Sequence, residues 1–339
     1  MLLKQTWRLP DQAAPLELVE LPTPQPAPGE ILLRVATCGV CHTELDEIEG
    51  RTPPAFYPLI PGHQVIGRVA QLGFGAQRFQ VGQRVGVAWI YSACGQCACC
   101  LAGQENLCEQ FRATGRDAHG GYAEYMVAPE RFAYLIPERF SDAQAAPLLC
   151  AGAIGYRSLR LSGLQDGQNL GLAGFGASAH LVLKLAQHQY PRARLYVFSR
   201  SPAEQAFARQ LGAHWAGGFQ ELPPAPLHCV IDTTPAWLPV VAALRCLAPG
   251  GRLVINAIRK EEADKVSLLE LDYPASLWLE KEIKSVANIT RQDVEEFLAL
   301  AAQIPLIPEY QVYPLQDANR ALLELKNRQI RGAKVLQLD

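Results

Sequence analysis

The sequence lacks a strong charge of either sign. Its 31 Lys and Arg nearly balance 33 Asp and Glu, leaving a net charge of −2 at pH 7. That balance argues against a nucleic-acid partner and against an anionic membrane surface. No uninterrupted run of about 18 apolar residues occurs, so no membrane span is expected. Residues 1–10 hold no apolar core of signal-peptide length. A cytoplasmic protein is the resulting expectation. Internal repeats and low-complexity tracts are missing too. The proline-rich stretch 22–28 is too short to be more than a stiff connection. At 339 residues the chain is long for one core and comfortable for two domains.

Cysteine is what the sequence has in quantity. There are ten, and Cys94, Cys97, Cys99, Cys100 and Cys108 crowd into one short segment. Disulfide frameworks suit small secreted chains, and nothing here points to secretion. Metal binding is the stronger explanation. Cys94-x2-Cys97-x2-Cys100-x7-Cys108 supplies four thiolates from one loop, which suits tetrahedral structural zinc. A loop with Gly95 and Gly103 has little core of its own, so ligation can hold it. Cys99 is left without a role.

Three textures follow one another. Up to about residue 150, short apolar runs (31–36, 65–71, 84–88) alternate with turn signals, which predicts an irregular β-rich domain. From 151 to 288, strand-like runs at 169–173, 194–198, 229–232 and 252–255 alternate with helical patterns at 178–189, 202–211 and 238–247. That alternation predicts an α/β, doubly wound parallel sheet. Pro249-Gly250-Gly251 reads as a turn into the last of these strands. Beyond 289, helices are expected at 292–303 and 316–326 and a strand at 334–338.

Gly174-Phe175-Gly176-Ala177-Ser178-Ala179 reads G-x-G-x-x-A between a strand and a helix. Glycines permit the tight turn, and the helix N-terminus stabilises a pyrophosphate. NAD-binding versions usually carry an acid at the end of the next strand. Here that end is Phe198-Ser199-Arg200-Ser201. Ser199 and Arg200 offer a hydroxyl and a permanent cation, which suit a 2′-phosphate. NADP(H) is therefore favoured over NAD(H). The blander alternative makes Arg200 a solvated loop residue.

Three further segments carry metal-binding side chains: Cys38-Gly39-Val40-Cys41-His42-Thr43, Pro61-Gly62-His63-Gln64 and Pro147-Leu148-Leu149-Cys150-Ala151-Gly152. Singly, none specifies a chemistry. In this order, with the four-cysteine and glycine-rich loops, they resemble the zinc-containing alcohol dehydrogenases of the medium-chain dehydrogenase/reductase superfamily over essentially the whole chain. The resemblance implies a GroES-like catalytic, zinc-binding domain (1–150 and 289–339) and a Rossmann dinucleotide-binding domain (151–288). It implies two zinc ions per chain and reversible hydride transfer between a primary alcohol or aldehyde and NAD(P). Cys41, His63 and Cys150 become the catalytic zinc ligands, a Cys2His set recognised from such enzymes and not deduced from spacing. Thr43 matches the hydroxyl that accepts the alcohol proton, His42 a residue facing the cofactor pyrophosphate, and Glu44 a carboxylate that orients His63.

Two departures stand out. Asp46 replaces a relay histidine, so the proton passes either through water or to Asp46 itself. Gln64 replaces a glutamate, which lowers the negative charge near zinc. Trp89 and Ile90 fall where the family lines its substrate pocket, although Trp89 suits core packing equally. Asn256 and Ile258 follow a sheet strand and are expected near the nicotinamide, with loop capping the alternative for Asn256. Arg331 lies near the terminal strand, where the family often has a pyrophosphate-binding arginine. The resemblance also implies a homodimer or homotetramer. Two alternatives stay open. One is a polyol or amino-alcohol dehydrogenase, disfavoured by the intact cysteine sets. The other is a non-catalytic NADP-binding protein, disfavoured by the retained Cys41, His63 and Cys150.

Overall fold

The structure, a computed structural model, describes residues 1–7, 14–327 and 332–338. The chain divides into two compact units, Met1–Ala153 with Ile289–Asp339, and Ile154–Asn288. Among the described residues no helix is long and apolar enough to cross a membrane.

The first unit is built on a seven-stranded sheet. The long strand Glu30–Val40 organises it. It pairs antiparallel with Ala333–Gln337, Val65–Leu72 and Tyr125–Pro129. Strands Arg84–Val87 and Ala133–Leu135 extend one side and Tyr310–Pro314 the other. Ile31, Leu33, Val35 and Leu336 face a common apolar core with Leu3, Met126 and Leu322. Burying each such side chain contributes about 1.5–3 kcal/mol, which anchors the strand whose end carries the first site residue.

The second unit is a six-stranded sheet with every neighbouring pair parallel. Its spatial order runs Trp215–Gly217, Arg194–Phe198, Asn169–Ala173, Leu227–Asp232, Leu247–Ile255, Glu282–Ser285. Numbered along the chain, that is 3-2-1-4-5-6, the Rossmann order. Order reverses between Asn169–Ala173 and Leu227–Asp232, and ligands of such sheets bind outside the carboxyl ends at that point. Leu170, Leu172, Val230 and Ile231 are fully buried, as central parallel strands require.

Two local differences from the sequence expectations are instructive. Strand Leu247–Ile255 starts before the expected turn. Pairing slips between Leu227↔Leu247 and Cys229↔Arg252, and Gly250 (φ +69°) absorbs the irregularity inside the strand. Helix Ala151–Ser162 had no sequence signal.

Candidate metal and nucleotide sites

Cys41, His63 and Cys150 come together from three separated segments of the first unit. Cys41 directly follows the long strand and caps helix His42–Ile48. His63 follows Gly62, whose φ of +102° and contact with the Tyr122 ring leave no room for a Cβ. Cys150 directly precedes helix Ala151–Ser162. His63 Nε2 lies 3.7 Å from Cys41 Sγ and 3.3 Å from Cys150 Sγ. A thiolate and an imidazole on one tetrahedral zinc sit about 3.6 Å apart, given bonds of about 2.3 and 2.05 Å. The donors therefore fit the ion, and three donors leave a fourth position open.

Glu44 braces this trio from behind. Its Oε1 lies 2.6 Å from His63 Nδ1, and its Oε2 accepts from the Cys41 N–H at 2.8 Å. The imidazole thus presents Nε2 to the sulfurs, a ring orientation set by the carboxylate. Burial alone would lower the His63 pKa, but the negative charge of Glu44 and Cys41 outweighs it and pushes it up. The Cys150 hydrogen bond and burial push the Cys41 thiol up, a penalty that a divalent cation offsets. Thr43 is half-buried, and its N–H donates to Cys41 Sγ at 3.3 Å. His42 is exposed on the same short helix.

The two departures have structural partners. Asp46 is buried and accepts from Arg51 Nε at 2.6 Å. The Gln64 side chain lies across Gly39, where a Cβ would meet Oε1 at 2.5 Å. Trp89 is buried and meets His63 edge-on with ring centroids 5.0 Å apart, while Arg116 covers it. Ile90 is buried at the start of the strand that pairs with Ala113. Glu47 carries no expectation from the sequence. It is fully buried one helical turn beyond Glu44, with both carboxyl oxygens lacking hydrogen-bond partners, and burial pushes its carboxyl up.

Cys94, Cys97, Cys100 and Cys108 form the second cluster, with all four sulfurs within 4.8 Å of one another. Two thiolates on one tetrahedral zinc are about 3.8 Å apart. Cys94 and Cys100 are 3.8 Å apart. The Cys97 and Cys100 N–H groups donate to Cys94 and Cys97 sulfur at 3.3 and 3.5 Å. Amides of Gln96 and Cys97 lower the Cys94 thiol to about 6. Cys99 stands outside this set.

In the second unit the glycine-rich loop follows strand Asn169–Ala173. Gly174 has φ +82°, and a Cβ there would meet Thr233 Oγ1 at 2.8 Å. A Cβ on Gly176 would meet nothing within 4 Å, so space lies open before it. Gly176 starts helix Ala177–Gln189 without any side-chain cap. A helix N-terminus without a side-chain cap, behind a glycine with open space around it, is suited to a pyrophosphate. Phe175 turns inward onto Phe207, and Ser178 approaches Gly155. Asn256 leaves its buried Nδ2 without a partner at the end of strand Leu247–Ile255, a donor suited to a carboxamide. Ile258 is exposed nearby in sequence. Arg331 lies outside the described residues.

Other residues of this region carry no sequence signal. Lys260 donates to Asp232, Thr234 O and Ala236 O, pinning the loop that Gly174 approaches. His180 is buried with Nδ1 3.1 Å from Gly176 O, and burial lowers its imidazole to about 4. At the next strand end, Ser199 is buried and donates to Glu204, while Arg200 is exposed.

One unit carries two thiol clusters spaced for zinc and the other a six-stranded Rossmann sheet, the pairing of parts found in medium-chain oxidoreductases. Comparison with known proteins narrows this. Residues 27–138 match the alcohol dehydrogenase GroES-like domain family. The protein named "Probable alcohol dehydrogenase AdhA" of Mycobacterium tuberculosis is 42% identical over 332 residues, covering 96% of this chain and 94% of that one. A cinnamyl alcohol dehydrogenase from Sorghum bicolor superposes with TM-score 0.82 at 26% identity, over 94% of this chain and 92% of that one. A cobalt- and zinc-bound thermostable alcohol dehydrogenase from Pyrobaculum aerophilum superposes with TM-score 0.81 at 26% identity, over 96% of each chain. The chain belongs to the zinc-type alcohol dehydrogenases of the medium-chain dehydrogenase/reductase superfamily. It is an oxidoreductase that uses zinc and a nicotinamide cofactor on small alcohols or aldehydes.

Proposed function

We propose that the enzyme interconverts primary alcohols and aldehydes at a zinc held by Cys41, His63 and Cys150, and that a second zinc on Cys94, Cys97, Cys100 and Cys108 is structural. The observation that carries this assignment is the 3.3–3.7 Å spacing of His63 Nε2 from two sulfurs, with Glu44 on the opposite ring nitrogen. When bound, the catalytic zinc supplies a Lewis acid for the substrate oxygen. Glu44 fixes the ring orientation of His63. Thr43 exchanges the hydroxyl proton, since its own hydroxyl can both donate and accept. Arg51 already occupies Asp46, which favours passing that proton to water. Trp89 walls the site beside His63, and Ile90 backs it. Asn256 and Ile258 serve the nicotinamide end and Gly174, Phe175, Gly176, Ala177 and Ser178 the pyrophosphate, a role that the family resemblance also gives His42.

NADP(H) is the favoured cofactor, through Arg200. The exposed edge strand Glu282–Ser285 and the exposed Tyr273 and Trp278 support a homodimer or homotetramer, and a cytoplasmic location completes the proposal. A panel of primary, secondary and aromatic alcohols, run with both oxidised cofactors, tests it. The highest kcat/KM is expected for a primary alcohol with NADP. Faster turnover of secondary alcohols, or a higher kcat/KM with NAD, would contradict the substrate or cofactor assignment respectively.

A further inference from the structure

The end of strand Arg194–Phe198 lies beside the glycine-rich loop, because Ala173 pairs with Phe198 and the Gly174 N–H donates to Phe198 O at 2.8 Å. A ribose attached to a pyrophosphate on that loop reaches this strand end. Ser199 and Arg200 are the strand-end residues, but they do not act alone. Ser199 Oγ donates to Glu204 Oε2 at 2.5 Å. The Ser201 N–H donates to Ser199 Oγ at 3.1 Å, and Gln205 Nε2 donates to Ser199 O at 2.8 Å. Ser199 is therefore buried with its single proton committed to a carboxylate.

Glu204 itself is held firmly. It sits in the first turn of helix Pro202–Gln210, where Ser201 Oγ accepts its N–H at 3.3 Å. The positive end of that helix favours a negative side chain. Glu204 remains half-buried, so it is accessible from solvent. The ribose end thus offers a carboxylate from the helix beside an exposed guanidinium from the strand end. A 2′-hydroxyl can donate to the first. A 2′-phosphate pairs with the second but is repelled by the first.

We infer that Glu204 is a specificity-determining residue that holds back the 2′-phosphate, so that the enzyme binds NADH as well as NADPH and the preference for NADPH is set between Glu204 and Arg200. The inference rests on the dinucleotide-binding role of the glycine-rich loop. It is tested by fluorescence titration of NADPH and NADH into the intact zinc-loaded protein without alcohol, comparing wild type, Glu204→Gln and Arg200→Ala. Gln keeps an acceptor for Ser199 and removes the charge. Glu204→Gln is expected to tighten NADPH about tenfold and to leave NADH within about threefold. Arg200→Ala is expected to weaken NADPH alone. An unchanged NADPH-to-NADH ratio in Glu204→Gln, or equal weakening of both nucleotides, overturns the inference while the loop's role stands. Failure of wild type to bind either nucleotide overturns both.

Discussion

On the proposed assignment, the two thiol clusters use the same metal chemistry in opposite ways. The 94–108 cluster draws four sulfurs from one loop, with no donor left to find and no position left to fill. The Cys41, His63 and Cys150 cluster draws three donors from the residue after a strand, an irregular segment and the start of a helix. It is local structure that makes the first cluster and tertiary structure that makes the second. Among the described residues only the second is braced by a carboxylate, Glu44, which pairs with His63 Nδ1 and accepts from the Cys41 N–H. A closed site needs only donors. An open site must also resist collapse and hold its vacant direction, so it needs that outer support.

The sharpest way to break this contrast is Cys150→Ala. Loss of one donor from the open site is expected to lower kcat/KM by roughly 10³-fold or more, several kcal/mol of lost activation, with the circular dichroism spectrum unchanged. Activity close to wild type would remove Cys150 from the catalytic site. Glu44→Gln comes next. Weakening the brace is expected to cost about 10- to 100-fold in zinc affinity or activity, read by chelator competition and by kcat/KM. If both stayed within twofold, the support would be dispensable. Cys97→Ser strikes the closed site instead. It is expected to lower Tm by roughly 6–12 °C, corresponding to a loss of about 3 kcal/mol, with activity lost only secondarily. An unchanged Tm would make that loop self-supporting.

A metal-free residue supplies the smallest effect. His180 is held at about 4 when folded, below its ordinary 6.5, by burial. A depressed histidine contributes stability that is present above pH 6.5 and lost as pH falls through about 4. Between pH 7.5 and 4.5 the wild type should lose about 2–3 kcal/mol more than His180→Asn, measured by urea unfolding. Parallel pH profiles would contradict it.

The same contrast explains what the sequence could reveal. The closed cluster is written in consecutive spacing, so composition and separation suffice to see it. The open cluster has no spacing of its own, and only resemblance singled out Cys41, His63 and Cys150. The strand pattern of the second unit was legible because parallel strands are buried on both faces. Helix Ala151–Ser162 was not, because Gly152 and Gly155 weaken its signal. Those glycines serve packing: a Cβ on Gly152 would meet the Phe297 ring at 2.4 Å, and one on Gly155 would meet Val182 at 2.7 Å. Side-chain pairings were hidden as well. Nothing in the order of residues says that Arg51 turns back onto Asp46, or that Ser199 spends its hydroxyl on Glu204 instead of a phosphate.

Zinc counting by native mass spectrometry tests the central claim most directly, applied to wild type and Cys150→Ala. Two zinc ions per wild-type chain, and one in Cys150→Ala without turnover, are expected. One zinc in wild type, or two in a fully active Cys150→Ala, would contradict the division between a closed structural site and an open catalytic one.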